Sequence, residues 1–443
     1  MLELRQALRI DEYSQMAFVG AGGKSSLIFR LAKEIEGPVL VSASTHFGKD
    51  QSLLAGAHTI IQSAADLEKL DLSALSGCLL LTGPLLEDNR WTSLPPGLLS
   101  EVSALARKAA IPLLIEADGS RMRPLKAPAD HEPPIPQFID QVVVVAGAKG
   151  LGQPLSAQVV HRPEQFASLA NLLPGKPIEA RHLAAVLRHP SGGLKNIPAH
   201  ARRVVFFNQI DDPSQAGFAK ELAPILLDDF HAVLAGSAQS PDPSVHSRFE
   251  QVLGILLAAG ESARFGEPKQ LLDWKGEPFV RRIAKTVLAS ELRNCHIVLG
   301  AYAPQVTAAL SGLDVQIIEN GEWSLGQASS VRAGLNSISK HVGAAMFLQV
   351  DRPQITTSLI NALIEEHQHN PAAIVAPQID GQRGTPVLFD RRIFPEFTSL
   401  EGDQGGRAIF SRYRVHWLPW LDASQAIDVD APEDYARLLN YSD

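Results

Sequence analysis

The stretch Val252–Gln270, VLGILLAAGESARFGEPKQ, decides how the rest of the chain reads. Val252–Leu257 is an apolar run of strand length that passes directly into Ala258, Ala259 and Gly260. Small residues there let a ligand approach the backbone closely. A turn of this kind, leaving a parallel strand, points successive backbone N–H groups at the carboxyl edge of the sheet, where α/β proteins bind phosphates. Arg264 and Lys269 follow in the same loop and supply cationic partners for a triphosphate, and Pro268 stiffens the approach to Lys269. Taken alone, the loop is equally an ordinary strand-to-helix turn with solvated Arg and Lys. Its surroundings have to choose.

Downstream, the runs His296–Leu299, Val315–Ile318, Ala344–Val350 and Ala373–Ala376 read as strands, and Pro278–Ser290, Gln327–Ser339 and Thr356–His367 as helices. Upstream the same grammar holds. Ala17–Val19, Pro38–Val41, Cys78–Leu81, Pro112–Glu116, Gln141–Val145 and Val204–Phe207 are short apolar runs, with periodic segments such as Ser25–Ile35 and Leu98–Ala110 between them. Alternation of this kind implies α/β architecture: two doubly wound, mostly parallel sheets covered by helices on both faces. Gly236–Ser247, GSAQSPDPSVHS, is rich in Ser, Pro and Asp and reads as a linker. The expected division is a P-loop-like domain over 1–238, a linker over 239–249 and a Rossmann-like domain over 250–443.

Composition narrows the class. The 443 residues are 45% apolar and 20% charged, enough to bury real cores. The net charge of −8 argues against a broad nucleic-acid or anionic-membrane surface. Two cysteines, Cys78 and Cys295, exclude a disulfide framework and a thiolate metal centre built within one chain. No apolar run approaches the ~18 residues of a membrane span, and the first residues lack the apolar core of a signal peptide, so the expected location is cytoplasmic.

The second half carries acids where its chemistry needs them. Ala344–Val350 ends at Asp351, at the carboxyl end of a strand, and Ile427–Asp430 is a second short apolar segment ending in an acid. Two carboxylates from different strand ends can hold Mg²⁺, a hard cation commonly completed by phosphate oxygens. Asp430 is also placed to cap the helix expected from Pro432.

Here LAAGESARFGEPKQ (Leu257–Gln270) resembles the signature of the molybdenum-cofactor nucleotidyltransferases. In order follow NGEWSLGQASSVR (Asn320–Arg332), QVDRPQI (Gln349–Ile355), GQRGTPVLF (Gly381–Phe389), GDQGGR (Gly402–Arg407) and IDVDAPEDY (Ile427–Tyr435), each similar to a family block. The nearest likeness is to the CTP:molybdopterin cytidylyltransferases of MocA type. Guanylyltransferase relatives read LAGG where this chain has LAAG, and the methyl of Ala259 crowds a purine. The resemblance implies that Leu257, Ala258, Ala259, Gly260 and Arg264 bind the nucleotide, that Lys269 neutralises charge at the α-phosphate, and that Asp351 and Asp430 hold Mg²⁺. It also implies that Arg383, Gly384, Asp403 and Arg407 face the pterin, with simple surface solvation the equal alternative for the two arginines. Arg352 departs from the family's usual Asp-Gln-Pro.

In the first half, Phe18-Val19 ends a strand, and Gly20, Gly22, Gly23, Lys24 and Ser25 open a helix in P-loop order. The loop is shortened, since the position for the first glycine is Phe18, and a structural Gly-rich turn is the alternative. Glu116 and Asp118 end a buried strand where a P-loop protein places its Mg²⁺-supporting carboxylate. Asn208-Gln209-Ile210-Asp211 resembles the guanine-reading Asn-Lys-x-Asp motif of GTPases, with Gln209 in place of Lys; it is equally a turn. GAGGKSS, EADGSRMRPLKAPADHEPPIP (Glu116–Pro136), VHRPE and FFNQID resemble the YqeC-type accessory family of selenium-dependent hydroxylases. Arg123, Lys126, His131 and Glu132 sit in its most distinctive block, with His131 a solvated loop residue rather than a metal ligand.

Together the two resemblances imply a cytidylyltransferase using CTP, molybdopterin and Mg²⁺, fused to a nucleotide-binding module and serving an apo molybdenum hydroxylase. Transfer from GTP or to a sugar phosphate, and a cofactor carrier without turnover, are the other readings.

Overall fold

The apolar runs become strands in a computed structural model that describes residues 2–240, 244–262, 265–370 and 372–440. Arg264 lies outside the described residues. The chain divides into two units, 1–249 and 250–443.

The first unit is built on β1 (Gln15–Gly20), β2 (Val39–Ala43), β3 (Ala57–Ile60), β4 (Cys78–Thr82), β5 (Leu113–Glu116), β6 (Gln141–Gly147), β7 (Arg202–Asn208), β8 (Ala232–Gly236) and β9 (Val245–Phe249). They form one sheet in the order β9-β8-β7-β6-β1-β5-β2-β4-β3. Every pairing is parallel except β8 with β9. Along β1, Ala17 and Val19 enter one apolar cluster while Met16 and Phe18 enter another. Both faces are therefore buried, as a parallel sheet requires. The stretch 239–249 differs from a simple linker, because Val245–Phe249 pairs antiparallel with β8 and extends the first sheet. Its Pro, Ser and Asp content hid a strand at the edge of the sheet, where it pairs with β8. β3 had no apolar run to announce it, because its side chains are partly or largely exposed at the sheet's other edge.

The second unit contains β10 (Gln251–Ala258), β11 (Cys295–Leu299), β12 (Gln316–Glu319), β13 (Val342–Gln349), β14 (Ile374–Ile379), β15 (Gln382–Arg383), β16 (Val387–Asp390) and β17 (Val415–Trp420). The sheet order is β12-β11-β10-β13-β16-β14-β15, with β17 beside β14. β10 pairs in parallel with β11 on one side and β13 on the other. The chain thus winds away from β10 first one way and then the other, which opens a crevice at its carboxyl end. β16 runs antiparallel to both β13 and β14. Val252, Leu256 and Ala258 face one apolar cluster and Leu253 and Ile255 the other. The segment Ile427–Asp430 is not a strand; it is held to the end of β13 by the Val429 N–H, which donates to the Asp351 carbonyl (3.1 Å).

Candidate functional site

In the second unit the loop after β10 is held from inside. Gln270 is buried, and its Nε2 donates to the carbonyls of Ala258 (3.0 Å) and Gly260 (2.7 Å). The Lys269 N–H donates to Ser262 Oγ (3.2 Å), closing the loop on itself. Beyond it lies a cleft of about 450 Å³, within the size of small-molecule sites. Leu257, Ala259, Gly260, Lys269, Asp351 and Asp403 line it.

Asp351, Asp428 and Asp430 converge beside this cleft, each offering a carboxylate oxygen within 4.8 Å of the others. Lys269 Nζ donates to Asp430 Oδ1 (2.7 Å). Arg352, only 5% exposed, reaches Asp428 Oδ2 (3.4 Å). The Oδ1 atoms of Asp351 and Asp428 are enclosed and have no hydrogen-bond partner. Burial, followed by repulsion from Asp428, pushes the Asp351 carboxyl up to about 7 against the pull of Lys269 and Arg352. Enclosed oxygens without partners, in an all-carboxylate donor set, fit a hard divalent cation.

In the first unit β1 ends in a glycine loop, with Gly20, Gly22 and Gly23 at φ +93°, +90° and +100°. The N–H groups of Gly20, Ala21 and Gly22 donate to Asp118 Oδ2 (3.0 Å) and to the carbonyls of Val145 (2.9 Å) and Arg123 (3.1 Å). The first-turn amides of the helix Lys24–Glu34 have no acceptor within that helix. Lys24 is buried. Its Nζ donates to the Gly20 carbonyl (2.8 Å) and pairs with Asp118 at 3.2 Å and Glu116 at 3.9 Å. Ser25 Oγ donates to Glu116 (2.6 Å). The expected Lys, Ser and two acids therefore meet at one strand edge.

Residues 16–164 match the YqeC protein family, and residues 254–417 match the MobA-like NTP transferase domain. The Escherichia coli protein YqeC is 34% identical over 240 residues, spanning 53% of this chain and 91% of that protein. The nicotine blue oxidoreductase of Paenarthrobacter nicotinovorans is 32% identical over 203 residues, spanning 42% of this chain and 96% of that protein. The chain belongs to both families. A YqeC domain comes first and a MobA-like NTP transferase domain second. A probable molybdenum cofactor guanylyltransferase of Bacillus cytotoxicus is 26% identical to the transferase domain over 200 residues, spanning 43% of this chain and 97% of that protein.

Within the transferase domain, the residues expected on the pterin side separate. Asp403 lines the cleft, whereas Arg383, Gly384 and Arg407 do not. Arg383 lies on β15, four strand spacings of about 4.8 Å from β10. Its guanidinium sits 6.0 Å from the centre of the Phe410 ring. Gly384 is buried, with its N–H on the Pro377 carbonyl (2.9 Å). Arg407 is exposed. The segments Asn320–Arg332 and Gly402–Arg407 meet at Gly326, where a methyl would lie 2.4 Å from the Gly402 carbonyl.

Asp428 and the roles of Arg352 and Gln270 escaped the sequence reading. A signal for Asp428 was present: side chains two apart in an extended segment share a face, so Asp428 and Asp430 point together while Val429 enters the core. Nothing local marked Gln270, whose partners are set by the path of the loop.

The YqeC domain's distinctive block is a buried charge chain. Lys126 Nζ contacts Asp118 (2.9 Å), Glu132 (2.7 Å) and the Gly119 carbonyl (2.6 Å). Arg162 grips Glu132 through both oxygens, at 2.8 and 3.0 Å. His131 is exposed. Burial disfavours ionised Glu132, but Arg162 and Lys126 outweigh it and hold the carboxyl down at about 2. A carboxyl lowered from its ordinary value contributes stability that is complete above that value and is lost as pH falls toward 2. Glu132→Gln is therefore expected to flatten the acid limb of the YqeC domain's stability between about pH 4.5 and 2, measured by urea unfolding across that range. An unchanged acid limb would contradict the ion pairing.

Gly22→Ala should also be costly. A methyl there would lie 2.4 Å from the Gly147 nitrogen and 2.9 Å from the Pro124 carbonyl, at a positive φ. Left-handed strain plus overpacking amounts to about 2–5 kcal/mol, read as a drop in the urea midpoint of the YqeC domain. A loss below about 1 kcal/mol would mean that the loop can open away from Gly147.

Proposed function

We propose that this chain acts in molybdenum cofactor maturation: the transferase domain moves CMP from CTP to molybdopterin and releases pyrophosphate. The observation that carries the reading is the convergence of Asp351, Asp428, Asp430 and Lys269 beside the small-residue loop after β10. Asp351 and Asp430, joined by Asp428, would hold Mg²⁺, which supplies charge neutralisation at the phosphate oxygens when bound. The amides of the Ala258–Gly260 turn, whose carbonyls Gln270 fixes, present donors to the triphosphate. Lys269, placed at Asp430, is within reach of the charge that develops on the α-phosphate. Arg264 belongs to the same loop. The terminal phosphate of molybdopterin attacks the α-phosphorus in line, one P–O bond forms, the α–β anhydride bond breaks, and no covalent enzyme intermediate is needed. Catalysis is then positioning with electrostatic stabilisation. The methyl of Ala259 in the cleft wall favours a pyrimidine. The YqeC domain would bind a nucleotide at Lys24 and Ser25 and help deliver the product to an apo molybdenum hydroxylase, with tethering raising the local concentration of a labile cofactor.

Family membership leaves the reaction open, because one relative carries an oxidoreductase name and another a guanylyltransferase name. A panel of four NTPs with molybdopterin, with and without Mg²⁺, tests the proposal in the purified protein. Pyrophosphate release is expected from CTP only when molybdopterin and metal are both present. Release from GTP instead would shift the base, release with a sugar phosphate would shift the acceptor, and tight cofactor binding with no release would favour a carrier.

A further inference from the structure

The proposed transfer reaction makes no use of three features that lie along the carboxyl edge of the YqeC domain's sheet. One is the glycine loop after β1. Another is Asn208 at the end of β7, which is 3% exposed. Its Nδ2 donates to the Gly22 carbonyl (2.7 Å), and its Oδ1 accepts the Ala238 N–H (2.9 Å). One buried amide thus ties the glycine loop to the turn after β8. The third is Asp211, three residues beyond Asn208. Its Oδ1 accepts a hydrogen bond from Ser237 Oγ (2.8 Å), and its Oδ2 lies 2.9 Å from Lys149 Nζ. The Asp211 side chain is 56% exposed.

We infer that this edge is a guanine-nucleotide site, with the phosphates at the first-turn amides of the helix Lys24–Glu34, which the glycine loop opens, and the base read by the Asp211 carboxylate. The inference rests on the reading that Lys24 and Ser25 bind a nucleotide, and it adds the base. Guanine offers two adjacent donors on its Watson–Crick edge, N1–H and the N2 amino group, which match the two oxygens of one carboxylate. Adenine and cytosine place a ring acceptor beside their amino group, and uracil flanks its single N–H with carbonyls; each sets a lone pair against a carboxylate. Hydrogen bonds from Lys149 and then Ser237 hold Asp211 below the usual carboxylate range, so it is ionised and only accepts. Ser237 uses one lone pair of Oδ1 and orients the plane. Lys149 is itself 61% exposed, and an ion pair this open contributes little, so the base can displace it. Asn208 performs the other task, because it keeps the glycine loop, and with it the start of the helix Lys24–Glu34, at a set position relative to the segment that carries Ser237.

The experiment is calorimetric titration of the full-length protein with GTP, ATP and XTP, with Mg²⁺ present and CTP saturating so as to occupy the transferase domain. GTP should bind at least tenfold more tightly than ATP. Asp211→Asn exchanges one acceptor for an NH₂ donor and, being exposed, leaves the fold intact. Xanthine carries a carbonyl where guanine has its amino group, so the variant should lose at least tenfold in GTP affinity and gain at least tenfold for XTP. Equal binding of GTP and ATP, or an Asp211→Asn variant that binds GTP as the parent does, would overturn the guanine site while leaving the nucleotide loop standing. No binding of any of the three alongside CTP would remove both.

Discussion

Asp351→Asn is expected to lower metal-dependent pyrophosphate release by about a thousandfold, the scale seen when one preorganised electrostatic group is taken from a transition state. It should do so without destabilising the fold. Asp351 stands with Asp428 and Asp430 at mutual oxygen distances within 4.8 Å, where Lys269 pairs with Asp430 and Arg352 with Asp428. A raised carboxyl favours the fold while it is protonated. That stability is complete below the ordinary value of 3.8 and is lost as pH rises through about 7. In chelator, the parent transferase domain should therefore become less heat-stable as pH rises through about 7, whereas Asp351→Asn should hold its midpoint. Divalent cation should restore the parent and leave the variant unmoved. A variant that keeps metal-dependent turnover would remove Asp351 from the metal site. A variant that melts well below the parent at every pH would show that the carboxylate is structural.

Lys126→Met should be the most damaging single change in the YqeC domain. The ammonium is 1% exposed at its side chain and stands between two acids that are themselves enclosed, Asp118 at 2.9 Å and Glu132 at 2.7 Å. Removing it leaves Glu116, Asp118 and Glu132 sharing Lys24 and Arg162, an excess of buried negative charge that costs about 3–5 kcal/mol. Asp118 also accepts the Gly20 N–H and pairs with Lys24, so the loss reaches the glycine loop. Urea unfolding of the full-length variant should show the first-domain transition shifted by that amount, and adding Glu132→Gln should recover part of it, because one of the stranded charges is then gone. A shift below about 1 kcal/mol, or strict additivity of the two changes, would mean that water reaches the chain of charges and screens it.

Much of the fold was legible from short-range pattern. Apolar runs bounded by Gly, Pro or Asp marked β1, β2, β4, β5, β6, β7, β10, β11, β12, β13 and β14, because strand length and turn chemistry are local properties. The strands that escaped were β3, β8, β9, β15, β16 and β17. For β3 and β9 the reason is an edge position, where half-exposed side chains carry no apolar run. In the site, Leu257, Ala259, Gly260, Lys269 and Asp351 could be read because a small-residue turn and a strand-end acid have a meaning wherever they occur. Arg383 and Arg407 could not be placed, because no local rule says which strand of a sheet a cation will stand on.

By itself the sequence determined that two mostly parallel α/β sheets form, that each ends a strand in a loop of small residues, and that Lys24, Lys269 and Asp351 stand at such strand ends. Only the tertiary structure decided that Lys269 meets Asp430 across 161 residues of chain, that Asp428 completes the acid group with Arg352 behind it, and that Asn208 braces the glycine loop of β1. The physical reason is one of range. Strand identity follows from neighbours in the chain, whereas charge pairing across a crevice depends on strand order, and strand order is chosen by how whole helices and sheets bury their apolar faces.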